Sequence, residues 1–291
     1  MVEAATERRV RSQRPVLAGL SRLLKHPSGL TGLALILLVV LTALFAPLIA
    51  PYDPVELNTP DRMQGPSATH WAGTDQYGRD TLSRIIYGGR TSLSVAFTSI
   101  LLATLVGGLL GLLAGYYRSW VDVLIMRLTD ILLSFPVILL AIALLAFLGS
   151  GFNSLVLAIA VVYTGPFARV ARGAVLSLRE ELFVEASRAS GSSDARTLFL
   201  TLLPNALAPL IIEITLRLAY AILIEAGLSF LGLGTPPPAP SWGQMIAENR
   251  RFLALSPWAT VAPGLAIMVI VLGFNLLGDG LRDALDPRLR G

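Results

Sequence analysis

The 291-residue chain is 54% hydrophobic and only 14% charged, where a soluble domain carries roughly 25% charged residues. Its apolar residues lie in long uncharged runs, which excludes an ordinary soluble fold, and the absence of cysteine excludes a disulfide framework, a zinc–thiolate centre and a thiol nucleophile. The net charge is +4, and Lys25 is the only lysine among 23 basic residues. Their distribution reads as a topology signal rather than as nucleic-acid binding.

A helix needs about 20 apolar residues to cross a bilayer core. Residues 1–28 form a basic leader with Arg8, Arg9, Arg11, Arg14, Arg22 and Lys25. The uncharged run 30–50 follows. It is longer than the 7–15 or so residues of a signal-peptide core, so 29–50 is expected to be an uncleaved first span. A loop at 51–92 leads to the uncharged run 93–117, the second span. Gly107, Gly111 and Gly115 recur on one face of it, a small-residue pattern that lets helices approach closely. The run 131–168 is too long for one span and breaks at Gly149-Ser150-Gly151-Phe152-Asn153, giving a third span starting near 131, with Pro136 close to its start, and a fourth reaching about Ala171. The fifth span, 206–231, follows Pro204 and contains Glu213, Arg217 and Glu225; the sixth is 258–278.

The expected fold class is therefore an all-α polytopic membrane protein with six transmembrane helices. The leader, Arg118 and Arg127, residues 169–205 and the tail carry sixteen Lys/Arg, the opposite loops six. The excess of Lys/Arg marks the cytoplasmic side, so both termini are expected inside, the loops 51–92 and 232–257 outside, and the loop 172–205 inside. Residues 93–281 form a five-helix core and 282–291 a cytoplasmic tail.

No phosphate-binding G-x-x-x-x-G-K-[ST] exists, since Lys25 lies in Leu-Leu-Lys-His-Pro. His26 and His70 belong to no metal-spaced cluster, and no catalytic constellation is present. The expectation is a chain without catalytic or metal residues, which is no enzyme itself and binds no cofactor. Any ATP and Mg must be bound by partner subunits.

The internal loop holds Glu185-Ala186-Ser187-Arg188-Ala189-Ser190-Gly191, then a run ending Leu202-Leu203-Pro204-Asn205. Residues from about 176 to 189 favour helix, Gly191 can end it in the left-handed conformation, and Ser193 or Asp194 can cap the next. Two short helices with a sharp bend are expected. On the residues alone, a solvated amphipathic connector is as good a reading as a docking loop.

This stretch resembles the EAA motif of ABC-importer permeases. Glu185, Ala186, Gly191, Leu203 and Pro204 stand at its spacing, with Ser187 for the second alanine and Thr201 for the isoleucine. The segments His70–Asp80 with Arg84 and Arg90, Glu225–Gly234, Ser241-Trp242-Gly243 and Phe274–Pro287 resemble signatures of the C-type permease of dipeptide/oligopeptide importers. Thr164 departs from that family, which usually has tryptophan there. The resemblance implies a type I importer permease fold in a prokaryotic cytoplasmic membrane. It also implies a homologous second permease forming a heterodimer, two cytosolic ATPase domains, fused or separate, and an extracytoplasmic peptide-binding protein. Glu185, Ala186, Ser187, Arg188, Gly191, Leu203 and Pro204 would form the ATPase-coupling loop.

Ionisable groups inside a span are costly and face a bundle interior or a polar cavity. Glu213 and Arg217, four apart, can neutralise each other; with Glu225, expected on roughly the same face, they are candidates for a translocation path. Paired charges that merely glue helices are the competing reading. Asp122, Arg127 and Asp130 are expected as interfacial anchors, Arg127 within reach of Asp130. Asp75, Arg79, Asp80 and Trp242 are candidate outer-loop contacts to a delivery protein. A stand-alone secondary transporter, with Glu213 and Arg217 as its coupling site, and an importer of the same family carrying another solute such as nickel are the alternatives.

Overall fold

The computed structural model describes Leu23 and residues 26–285. The expectations for the leader, including Lys25, and for most of the 282–291 tail lie outside the described residues. Among these residues the chain is helical, with one isolated bridge between Thr74 and Asp80.

Helix α1 spans Pro27–Leu44 and α2 spans Ala46–Ile49. Pro47 has no N–H for the Ala43 carbonyl, so the chain kinks at Phe45. Helix α3, Thr81–Tyr117, has 37 residues, about 55 Å at 1.5 Å per residue. It begins well before the expected second span. Asp80 caps it by accepting from the Ser83 N–H at 2.7 Å, and its first turns bury Thr81, Ser83, Arg84 and Ser92. These residues interrupt the apolar run but not the helix.

The third span departs from expectation. Helices α4 (Ser119–Leu133) and α5 (Val137–Leu148) meet at 93°. Pro136 lies in the break instead of early in one continuous helix. Its ring bars helical geometry at the residue before it. Alone, the 12 residues of α5 reach only about 18 Å. Among the described residues five helices are long and apolar enough to cross a membrane, and six spans result if the bent pair counts as one.

The turn at 149–153 is present, with Gly149 at φ 80° and Gly151 at φ 140°. Helix α6 then runs Phe152–Leu178, past the expected limit near Ala171. A break at 179–181 precedes α7 (Leu182–Ala189). Helix α8 (Asp194–Arg196), a π-helical turn (Thr197–Leu202) and α9 (Leu203–Phe230) form one continuous rod of 37 residues. The expected second short helix is thus the lower end of the fifth span. Pro204 offers no N–H to the Leu200 carbonyl, and the turn before it widens to π geometry. Helices α10 (Trp242–Asn249) and α11 (Trp258–Leu285) complete the chain.

Close packing follows the glycines. A Cβ on Gly107 would strike the Thr164 carbonyl and one on Gly111 the Ala168 carbonyl, while one on Gly115 would lie 2.8 Å from the Val175 Cβ. The expected small-residue face therefore binds α3 to α6. Thr164 keeps its hydroxyl on its own helix, donating to the Ala160 carbonyl at 2.8 Å. The first span uses the same device on the last. Gly32 packs on the backbone of Gly273 and Leu277, and Gly280 on Gly29.

Candidate functional site

Three polar regions interrupt this apolar frame. The first is the loop between α6 and α9. Its bend is built by the backbone: the Gly191 N–H donates to the Arg188 carbonyl at 2.9 Å, and the Ser192 N–H reaches back to the Ser187 carbonyl at 3.2 Å. This pair of bonds forms a Schellman motif, and Gly191 takes its left-handed position at φ 76°. Ser193 is the cap of α8, accepting from the Arg196 N–H at 3.4 Å. Asp194 instead accepts from the Tyr116 hydroxyl at 2.6 Å.

A small apolar cluster seats the loop. Val184 and Leu202 are fully buried with Leu198, Val175, Leu112 and Tyr116. The Arg188 guanidinium lies 5.0 Å from the Tyr116 ring centroid. Arg179 donates to the Gly115 and Tyr116 carbonyls at 3.3 and 3.1 Å, the unsatisfied C-terminal carbonyls of α3. Outward, Glu185, Ala186, Arg188, Gly191 and Pro204 are exposed, and Ser187 and Leu203 are half-buried. Leu182 is 79% and Leu200 71% exposed, with Phe183 and Phe199 beside them in sequence also uncovered. Sequence reasoning missed Tyr116 and Val184. Tyr116 ends an apolar run and carries no local signal, whereas Val184 alternates with exposed neighbours on an amphipathic helix.

The second region is on α9. Arg217 Nε donates to Glu213 at 2.6 Å, as the spacing predicts. The guanidinium lies 5.6 Å from the Tyr163 ring centroid and 5.9 Å from that of Tyr220. Glu225 does not join them. Twelve residues at 100° each leave it about 120° round the helix, so the expected common face is corrected. Glu225 has no exposed surface and accepts from the Ser229 hydroxyl at 2.8 Å, with the Ser92 and Ser241 hydroxyls beside it. In this conformation it cannot line an open path.

At the border of α4 and α6, Arg172 grips Asp122 through two bonds of 2.6 and 2.7 Å. Asp130 is taken by Arg169 at 2.7 Å and not by Arg127. These anchors therefore tie two helices together.

The third region is the layer built from 51–92 and 232–257, assigned to the outside by the charge distribution alone. Asp75, Arg79, Asp80 and Trp242 are all buried, at 1%, 7%, 3% and 1% exposure. The expectation of contacts to a delivery protein is corrected: these side chains are spent inside the layer. Arg79 bonds Asp75 at 2.6 Å and Glu248 at 2.7 Å, and Glu248 also meets Arg84 at 3.2 Å. Asp80 accepts from Ser83 and pairs with His70 at 2.9 Å. The Trp242 indole donates to the Ile85 carbonyl at 2.9 Å. Charges surrounded by apolar neighbours in space require such partners, but sequence distance hides them: Glu248 stands 169 residues from Arg79.

The chain matches two family patterns, the binding-protein-dependent transport system inner membrane component over residues 107–291 and the N-terminal transmembrane domain of oligopeptide transport permease C over 17–66. It is 48% identical to the dipeptide transport system permease protein DppC of Alkalihalophilus pseudofirmus, over 92% of this chain and 88% of that one. It is 44% identical to the glutathione transport system permease protein GsiD of Pectobacterium atrosepticum, over 91% and 88%. Among solved structures, a chain of the inward-facing methionine transporter MetNI superposes with a TM-score of 0.60 at 20% identity, over 70% of this chain and 97% of that one. That likeness establishes the fold alone. The chain belongs to the family of binding-protein-dependent transport system inner membrane components, as a C-type permease subunit of the dipeptide/oligopeptide ABC-importer type.

Proposed function

We propose that this chain is one half of the transmembrane gate of an ABC importer for short peptides. It works with a homologous second permease as a heterodimer, two ATPase domains that bind ATP and Mg, and an extracytoplasmic peptide-binding protein. As an inner membrane component it resides in a prokaryotic cytoplasmic membrane and crosses it several times. The excess of Lys/Arg at the leader, the α6–α9 loop and the tail supports termini and loop on the cytoplasmic side.

The observation that carries the proposal is the form of that loop. It is seated on α3 and α6 by Val184, Leu198, Leu202 and Tyr116, yet it turns Leu182, Phe183, Glu185 and Arg188 outward. Leucine and phenylalanine exposed beside charges, with valine buried behind them, support a surface that meets a partner. Apolar knobs flanked by opposite charges fit a protein groove, and the seat transmits a push on the loop to both helices. ATP-driven closure of the partners then biases the inward and outward states.

The test is reconstitution of the full complex in liposomes with the binding protein outside and ATP inside. ATP-dependent uptake of dipeptides is expected. Uptake by this chain alone without ATP would support a secondary transporter instead, and ATP-dependent uptake confined to nickel or another non-peptide solute would reassign the cargo.

A further inference from the structure

Glu213, Arg217 and Tyr220 lie at i, i+4 and i+7 on α9, hence on one face. That face is not enclosed: the Glu213 and Arg217 side chains keep 13% and 30% of their surface, and Tyr220 keeps 52%. Further along the same face, Pro209 is exposed, whereas most residues after Leu223 are buried. An ion pair within an apolar helix would be costly against lipid, so this face lies against protein or water. Among the described residues the bond between them is the one hydrogen bond either side chain makes. The carboxylate and the guanidinium each retain unused hydrogen-bonding capacity.

We infer that Glu213 and Arg217 form a substrate site that reads the free ends of a short peptide, Glu213 taking the α-ammonium and Arg217 the α-carboxylate. The inference rests on the peptide-import reading and deepens it. Peptides of different sequence share their backbone and their two charged ends, and their side chains differ. A site of one anion, one cation and the exposed ring of Tyr220 matches that common part and leaves side chains unread. Without cargo the two residues neutralise each other at 2.6 Å, so no lone charge sits in the span. With cargo, one ion pair is exchanged for two of the same kind, and the total charge stays balanced. The exchange offsets desolvation of the peptide ends without holding the peptide tightly, as a passage site must.

The test is uptake by the complete reconstituted complex of three cargoes: a pool of free dipeptides, the same pool N-acetylated, and the same pool C-amidated. Each is measured for the wild type, Glu213→Gln, Arg217→Gln and the double Gln variant, the last of which leaves no unpaired charge. Each variant is compared with the wild type on the same cargo, so selection by the binding protein cancels. Glu213→Gln is expected to lower uptake of the free pool about tenfold, the scale of one charged hydrogen bond, and to leave N-acetylated uptake nearly unchanged. Arg217→Gln is expected to do the same for free against C-amidated cargo. Equal losses on free and capped cargoes, including complete loss of all, would assign the pair to helix packing and overturn the inference. Failure of the wild-type complex to import any pool would instead remove the peptide reading beneath it.

Discussion

The Tyr116 hydroxyl donates to the Asp194 carboxylate at 2.6 Å, joining the last turn of α3 to the first residue of α8. The same ring carries the Arg188 guanidinium on its face. One side chain of the second span therefore touches the loop on both sides of the Gly191 bend, and the last turns of α3 are tied to α6 through Gly107, Gly111 and Gly115. Under the proposed coupling role, a push on the loop would reach two spans at once through this contact.

Tyr116→Ala is expected to uncouple the complex: ATPase activity persists while peptide uptake per ATP falls at least tenfold. Tyr116→Phe keeps the ring, and so the packing and the cation–π contact, and removes one hydrogen bond worth about 1 kcal/mol. Its loss should be a few-fold. Parallel measurement of ATP hydrolysis and uptake in liposomes checks both. An unchanged uptake-to-ATP ratio in Tyr116→Ala would show that this contact transmits nothing.

Gly191 takes φ 76°, and a Cβ added there would meet nothing within 4 Å, so a substitution encounters backbone strain and no clash. Gly191→Ala should cost about 1 kcal/mol, and Gly191→Asn less, since asparagine tolerates the left-handed region. Gly191→Val should cost the most. Co-purification of the ATPase subunits with each variant should fall in the order Gly, Asn, Ala, Val. A flat series would mean that the bend is not needed for docking.

Gly111 illustrates what the sequence made legible. Its spacing with Gly107 and Gly115 announced a close helix contact, and the Ala168 carbonyl and Ala171 Cβ occupy the space its side chain would need. Likewise Glu213 and Arg217 were readable because i, i+4 pairing is a property of one helix. Glu225 was misplaced because twelve residues are not a whole number of turns. The ion network of the outer layer was unreadable: Arg79 and Arg84 meet Glu248 from segments far apart in sequence, and local periodicity cannot report such convergence. The break at Pro136 was visible as a residue but not as an angle, because only packing of α4 and α5 sets the 93° bend. Gly111→Leu should force α3 and α6 apart, cost about 2–3 kcal/mol by overpacking and lower the yield of folded complex. Gly108→Ala, whose Cβ would meet nothing within 4 Å, should leave the yield near wild type. Comparable yields of the two variants in detergent extraction would contradict the proposed packing.

Glu248 offers the sharpest test of the outer layer. Its carboxylate meets Arg79 at 2.7 Å and Arg84 at 3.2 Å, and both arginines are buried. Asp75 can balance one of them, since it already bonds Arg79 at 2.6 Å and lies 3.6 Å from the Arg84 Nε. Glu248→Gln keeps the volume and removes the second negative charge, so one buried guanidinium is left uncompensated. The cost should be about 3 kcal/mol, as for breaking a buried pair. It should appear as a lower thermal midpoint of the purified complex and as new protease cuts in the 51–80 segment, whose Arg79 loses its tie to α10. Glu248→Asp retains the charge on a shorter arm and should recover part of the loss. A double variant, Arg79→Met with Glu248→Gln, removes one charge of each sign and should be more stable than Glu248→Gln alone. If the double variant is less stable than the single, then the layer is held by packing around Trp242, and the ion network contributes no net stability.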